Sequence, residues 1–304
     1  VNAGIIDPSY LAPWNIARQV TYTDFAGVNR TKTNGYQLWL AQAMKQGDAL
    51  GSIPAMSGGP SLNYDTNILS LPTEAGEDQN IHFSLYVPMA YDPASDLTGA
   101  VLTQTNVGEH YITIDLPSAL SGSDQYAYPY DADTTVTFNG LTVEAFQYYI
   151  QPSAMVASQL PILDLSTIYG FEGGYQTTAN IAAGQSTYVN LPNNRSILST
   201  LIQYQNGGGF TVDGTDLSGI TLLANSNTNF REMTPRMLRE AMRNMMNSDA
   251  APGAYYITSR RQPIATQLYA NVQAKMDVVT ASPGVTQFIS QYEVQYATGA
   301  PLPG

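Results

Sequence analysis

Alternation of apolar and polar residues with a period of two, interrupted by glycine, proline, asparagine and serine clusters, is the feature that most limits what this chain can become. Val136-Thr137-Phe138 and Leu141-Thr142-Val143-Glu144-Ala145-Phe146-Gln147-Tyr148 alternate on either side of Asn139-Gly140, a dipeptide suited to a tight hairpin turn. The same alternation predicts strands over Ile16 to Tyr22, Ile81 to Val87, Tyr111 to Leu116, Ile197 to Tyr204, Tyr255 to Thr258, Leu268 to Met276 and Phe288 to Tyr296. Breakers such as Met56-Ser57-Gly58-Gly59-Pro60 and Asn206-Gly207-Gly208-Gly209 separate them, as surface loops separate strands in a sheet protein.

Two segments follow a helical period instead. From Thr234 to Asn247, Met237, Leu238, Ala241, Met242, Met245 and Met246 recur at steps of three and four, behind a capping Thr234 and a Pro235 suited to the first helical position. The outer face of this helix is expected to carry Arg236, Arg239, Glu240 and Arg243. From Gly35 to Gln46, Tyr36, Trp39, Leu40, Ala43 and Met44 share a face, and Gly47 ends the run. The helices occupy comparable places in the two halves. The closing stretches Glu144-Ala145-Phe146-Gln147-Tyr148 and Glu293-Val294-Gln295-Tyr296 also correspond. The chain therefore reads as a duplicated all-β unit of about 150 residues, each copy with one helix between strands. The units are residues 1–155 and 156–304, with the boundary falling near Gln151 to Leu160.

Charge limits the partners. The chain carries 12 basic and 24 acidic residues, and charged residues make up only 12% of it, about half the usual share. Residues 1–150 hold 4 basic and 15 acidic residues, residues 151–304 hold 8 and 9. Nucleic acid is held by neutralising phosphate, so this balance argues against direct nucleic-acid binding. The exception to weigh is the arginine set Arg231, Arg236, Arg239, Arg243, Arg260 and Arg261, which more often marks a solvated helix face or a salt-bridge donor. With 43% apolar residues the chain is long enough for one or two cores. No stretch approaches the ~18 to 20 apolar residues of a spanning helix, and Val1-Asn2-Ala3-Gly4 lacks the pattern of a signal peptide. Absence of cysteine suits folding in a reducing cytosol.

Catalytic and metal motifs are missing. There is no Gly-x-Ser-x-Gly elbow, His-Glu-x-x-His pair or Walker loop. His82 and His110 have no third ligand in sight. Asp131/Asp133 and Asp213/Asp216 are better read as turn aspartates beside Gly140 and Gly214. The sequons at Asn29 and Asn194 matter only in a eukaryotic secretory route. The reading is thus no enzyme, and no catalytic, cofactor or metal residues.

The segment Leu85-Tyr86-Val87-Pro88-Met89-Ala90-Tyr91, followed by Asp96-Leu97-Thr98-Gly99-Ala100-Val101-Leu102, resembles the tectivirus-type major capsid proteins. Further matches follow in order at Leu160 to Tyr169, Gly253-Ala254-Tyr255-Tyr256, Pro263-Ile264 and Tyr269-Ala270-Asn271-Val272, with Ala43-Met44-Lys45-Gln46-Gly47 resembling the end of the family's first helix. The resemblance implies a double jelly roll: two eight-stranded β-sandwiches side by side, each with a helix in its F–G connection, between its fifth and sixth strands. It implies a homotrimeric, pseudo-hexagonal capsomer that tiles an icosahedral shell around an internal membrane. Neighbouring capsomers, vertex and minor capsid or membrane proteins are the implied partners, and the virion is the location, with assembly in the host cytoplasm. Relative to the family, the first unit is expected to lack its N-terminal helix and first strand, on residues missing upstream.

The 21 tyrosines against 8 phenylalanines suit interfaces that are dry at the centre and wet at the rim, or simply populate strands. A chain of this role is expected to be poorly stable as a monomer. The alternative is a carbohydrate- or receptor-binding β-sandwich virion protein, with exposed aromatics and carboxylates on one rim.

Overall fold

A computed structural model of the protein describes residues 11–47, 83, 85–90, 99–101, 108–122, 128–130, 136–137, 139–145, 147, 167–206, 216–246, 253–259, 263–279 and 282–295. Within these residues the strands are β1 (Gln19–Thr23), β2 (Asn29–Thr33), β3 (Tyr111–Asp115), β4 (Thr167–Ile181), β5 (Ser186–Asn190), β6 (Ser196–Asn206), β7 (Leu217–Ala224), β8 (Thr228–Met233), β9 (Ala254–Thr258), the two-residue β10 (Ile264–Ala265), β11 (Val272–Val278) and β12 (Ser282–Gln295). The helices are α1 (Gly35–Gly47) and α2 (Pro235–Met246).

The second half is a jelly roll. One sheet runs β9 and β10 beside β6, then β12, then β4; the facing sheet runs β5-β11-β7-β8. In chain order the strands alternate between the sheets except for the β7–β8 hairpin in the smaller sheet and the successive β9 and β10 in the larger one, and α2 lies between the fifth strand, β8, and the sixth, β9. That is the F–G position expected for the helix. Ile181, Ile197, Ile202, Tyr204, Ile220, Leu222, Tyr255, Ile257, Val272, Ala274 and Met276 meet in its core. Each large buried side chain contributes about 1.5–3 kcal/mol by leaving water.

The first half repeats the middle of this plan. The hairpin β1–β2 runs into α1 as β7–β8 runs into α2, and β3 pairs with β1 as β11 pairs with β7. Even the caps agree. The Gln37 N–H donates to Asn34 Oδ1 at 2.7 Å, and the Met237 N–H donates to Thr234 Oγ1 at 3.3 Å, each cap lying directly before its helix.

The halves are joined by a sheet. β2 pairs in parallel with β4, Thr31 opposite Phe171 and Lys32 opposite Glu172, so the large sheet continues from the second unit through β2 and β1 to β3. Glycine makes the approach possible: a Cβ on Gly170 would collide with the Arg30 carbonyl, and one on Gly173 with Thr33 and Gln37. Gln37 Nε2 donates to the Gly174 carbonyl at 2.8 Å, Tyr292 Oη to the Arg30 carbonyl at 3.0 Å, and Gln203 Nε2 to Tyr36 Oη at 3.0 Å. Trp14, Tyr36, Trp39 and Leu40 share one buried cluster with Tyr169, Phe171, Leu198, Leu201, Met242 and Tyr256 of the second half. Within it the Trp14 and Trp39 rings stack at 3.9 Å.

Several strand expectations need correction. Phe83, Leu85 and Val87 form no ladder, although all three lean on buried clusters and so explain the alternation. The described residues of the 136–147 segment also form no ladder, and 139–145 are exposed, because alternation supplies a preference and a ladder needs a partner. Ile16 closes a short 3₁₀ turn before β1. Thr266–Leu268 form another, pinned where Thr266 exchanges hydrogen bonds with Arg195, so that strand begins only at Val272. On α2 the buried face carries Leu238, Arg239 and Met242, while Met237 and Ala241 are exposed. Arg239, expected on the outer face, instead turns inward toward Tyr255, whose ionisation it and buried Asp216 both influence.

Among the described residues most tyrosines are core: Tyr22, Tyr36, Tyr130, Tyr169, Tyr204, Tyr255, Tyr256 and Tyr292 are buried, while Tyr111 and Tyr188 are exposed. Burial pushes the Tyr22 and Tyr255 phenols up to about 12 from 10.0, the charge of Arg30 beside Tyr22 and Arg239 beside Tyr255 only partly opposing it. The folded state thus favours the neutral phenol. Its contribution is complete below pH 10 and is lost as pH rises toward 12. We predict that stability falls across that window, with the tyrosinate absorbance of the buried phenols rising together with loss of circular dichroism; complete ionisation of the tyrosines well before unfolding would contradict this.

The seam makes a second prediction. Gly170→Ala is expected to lower unfolding free energy by at least about 2 kcal/mol, and Gly140→Ala, where nothing lies within 4 Å, to change it by less than about 0.5 kcal/mol. Denaturant unfolding measures both.

Candidate assembly interface

Among the described residues, a run of large exposed apolar side chains lies on the first half. β3 ends the large sheet, and its outer edge carries no ladder among the described residues. Tyr111, Ile112, Ile114 and Leu116 are exposed there, as are Leu141 and Val143 of the closing segment. An open edge with large apolar side chains is a template for another chain or an aggregation hazard. Glu109, Asp115 and Glu144 are exposed on the same segments and keep the region acidic.

β3 is held by the β1–β2 hairpin, which a buried ion pair closes. Asp24 accepts from the Ala26 and Val28 N–H groups at 3.0 Å each and from Arg30 Nε at 2.6 Å, and Arg30 also donates to the Gly99 carbonyl. Removing one member of such a buried pair strands the other charge. His110 stacks on Phe25 at 4.7 Å beside this loop. Nothing in the sequence distinguishes Asp24 and Arg30 from ordinary turn and strand residues, so the pair is found only in three dimensions.

Among the described residues, the four arginines of the set have separate surroundings. Arg239 is buried, Arg243 pairs with Glu240 at 3.2 Å, Arg231 donates to the Thr258 carbonyl at 2.8 Å and Arg236 is exposed. Arg260 and Arg261 lie outside the described residues, as do His82, Asp131, Asp133 and Asp213, while Asp216 is buried. Asn29 and Asn194 sit in β2 and in the turn before β6.

The outer face of the smaller sheet carries exposed Tyr188 among polar side chains that satisfy one another. Ser186 Oγ donates to Asp277 at 2.6 Å, Lys275 pairs with Asp277 at 2.9 Å, and Gln273 donates to Asn190 at 2.8 Å. Partial burial pushes the Asp277 carboxyl up, but the hydrogen bonds from Lys275 and Ser186 outweigh it and hold it below the usual range. Among the described residues no three His, Asp or Glu side chains group to hold a metal, and no helix is long and apolar enough to cross a membrane.

Comparison with known proteins agrees with the sequence resemblance. The N-terminal domain family of P3 major capsid proteins matches residues 5–151, and the corresponding C-terminal domain family matches residues 166–299. Major capsid protein P3 of Enterobacteria phage PRD1 is 26% identical over 271 residues, which cover 86% of this chain and 68% of that protein. The crystal structure of the STIV MCP superposes with a TM-score of 0.53 at 14% identity, covering 96% of this chain and 83% of that one. A chain from the atomic structure of Sulfolobus turreted icosahedral virus gives 0.52 at 14% identity, covering 98% and 79%. The fold is the double jelly roll. Both halves of one family, in order along nearly the whole sequence and on that fold, make this chain a member of the P3 major capsid protein family: a structural, non-enzymatic component of a bacteriophage virion that assembles with copies of itself.

Proposed function

We propose that three copies of this chain form a pseudo-hexagonal capsomer, and that such capsomers tile an icosahedral shell enclosing an internal membrane. The observation that carries this reading is the repetition of one hairpin-and-helix plan in two units joined edge to edge by β2 and β4, so three copies present six similar units. The unit boundary lies at residues 155/156. Sparse charge favours the role, since copies packed shoulder to shoulder bury few ions, each of which costs several kcal/mol when unpaired. Assembly takes place in the host cytoplasm, and the shell also meets vertex and minor capsid or membrane proteins. The acidic balance of the chain, 12 basic against 24 acidic residues, keeps nucleic acid at a distance.

Permanent interfaces bury about 2,000–5,000 Å², enough to stabilise the trimer beyond either unit's own core. Native mass spectrometry or sedimentation of the purified protein is expected to give three times the 32.8 kDa chain mass. A monodisperse, thermally robust monomer at micromolar concentration would contradict the trimer, and lipid-free particles purified from the host would contradict the membrane.

A further inference from the structure

The two helix-leading hairpins share one register. Val20 opposite Thr33 and Tyr22 opposite Thr31 on β1–β2 are matched by Ile220 opposite Met233 and Leu222 opposite Arg231 on β7–β8. A bulge interrupts both at the same step, leaving Arg30 in one and Phe230 in the other outside the ladder. Asn34 and Thr234 then cap the helices at equivalent places. Residues of β2 and β8 can therefore be equated one by one, Thr31 with Arg231 and Lys32 with Glu232.

What lies beyond the second strand of each hairpin differs. The far edge of β2 is taken by β4, which pairs in parallel at Thr31 and Lys32 and leaves Thr31 0% exposed. The far edge of β8 ends its sheet among the described residues, and Arg231 and Glu232 are both exposed. Bulges and charged side chains are common means of keeping an edge strand from pairing. They do not account for this difference, because β2 carries the same bulge, and Lys32 at the position of Glu232, and still accepts a strand.

The electrostatics decide which unit fits the edge. Glu232 shares a face with Lys275, both standing opposite Thr221, so a cation of its own sheet lies beside it. Arg231 instead reaches from one sheet to the other, donating to the Thr258 carbonyl of β9 at 2.8 Å, and Arg236 in the first turn of α2 is also exposed. Residues 1–150 hold 4 basic and 15 acidic residues, and residues 151–304 hold 8 and 9. An arginine-bearing edge thus meets opposite charge in a first unit and little net charge in a second.

We propose that the far edge of β8, with Arg231 and Arg236, is a docking surface for a second copy of this chain, whose acidic first unit adds a strand to it in parallel as β4 does to β2. The contact is heterologous: each copy offers one edge and fills another, and three copies close the ring. This rests on the trimer reading and names the surface that holds that trimer together.

Hydrogen exchange of capsomers released from virions, read by mass spectrometry, tests the edge directly. The amides of Thr228–Met233 that point away from β7 are expected to exchange at least about 100-fold more slowly than in an unstructured chain. Arg231→Glu together with Arg236→Glu is expected to raise the trimer's dissociation constant at least about tenfold at low salt, read by sedimentation, with added salt narrowing the gap. A trimer whose outward β8 amides exchange freely, or which the double charge reversal leaves unchanged, would overturn this docking surface and leave the trimer standing. A chain that remains monomeric would overturn both.

Discussion

Everything in this molecule hangs on the short parallel contact between β2 and β4. Only a few backbone groups meet there, and the approach exists because Gly170 and Gly173 present no side chain to Arg30, Thr33 and Gln37. Around it the polar groups of each half are satisfied by the other, Gln37 by Gly174, Arg30 by Tyr292 and Tyr36 by Gln203. Buried polar atoms with partners specify geometry more sharply than apolar contact does, because a shifted register leaves them unpaired. The seam therefore fixes how two similar units stand beside each other, and a shell built from many copies inherits that angle.

The same contact explains the asymmetry of the two cores. The second half closes its sandwich with its own strands, while α1 of the first half lays Tyr36, Trp39 and Leu40 against β4, β6 and α2. The first hairpin is anchored to its neighbour by the β2–β4 contact and closed by the Asp24–Arg30 pair. Apolar exposure collects where the anchoring ends, on β3 and the closing segment.

Much of this was legible in the residues. Helical periods placed α1 and α2 to within a residue or two, with the Thr234 cap of α2 though not the Asn34 cap of α1, and alternation located β3, β6, β9 and β12. The duplication was legible too, though its clearest form is the hairpin leading into a helix, and among the described residues the correspondence between Glu144–Tyr148 and Glu293–Tyr296 is met by a strand over Glu293–Gln295 and not at 144, 145 or 147. β4 was hidden by its glycines, which read as breakers and serve as points of close approach. β7 was hidden by being apolar at successive positions, since Leu222 and Leu223 are both buried. Arg239 defeated the helix-face argument because an arginine turned toward Tyr255 and Asp216 has the same spacing as one turned to water. The uncovered face of β3 was illegible because exposure depends on what lies opposite, and a strand pattern says only that something should.

Calorimetry of the purified protein tests the central claim most directly. If the β2–β4 seam and the shared tryptophan cluster bind the two halves into one cooperative body, thermal unfolding gives a single transition whose calorimetric and van't Hoff enthalpies agree. Two separated transitions, with the second jelly roll melting independently of the hairpin and helix docked on it, would show that the halves merely touch.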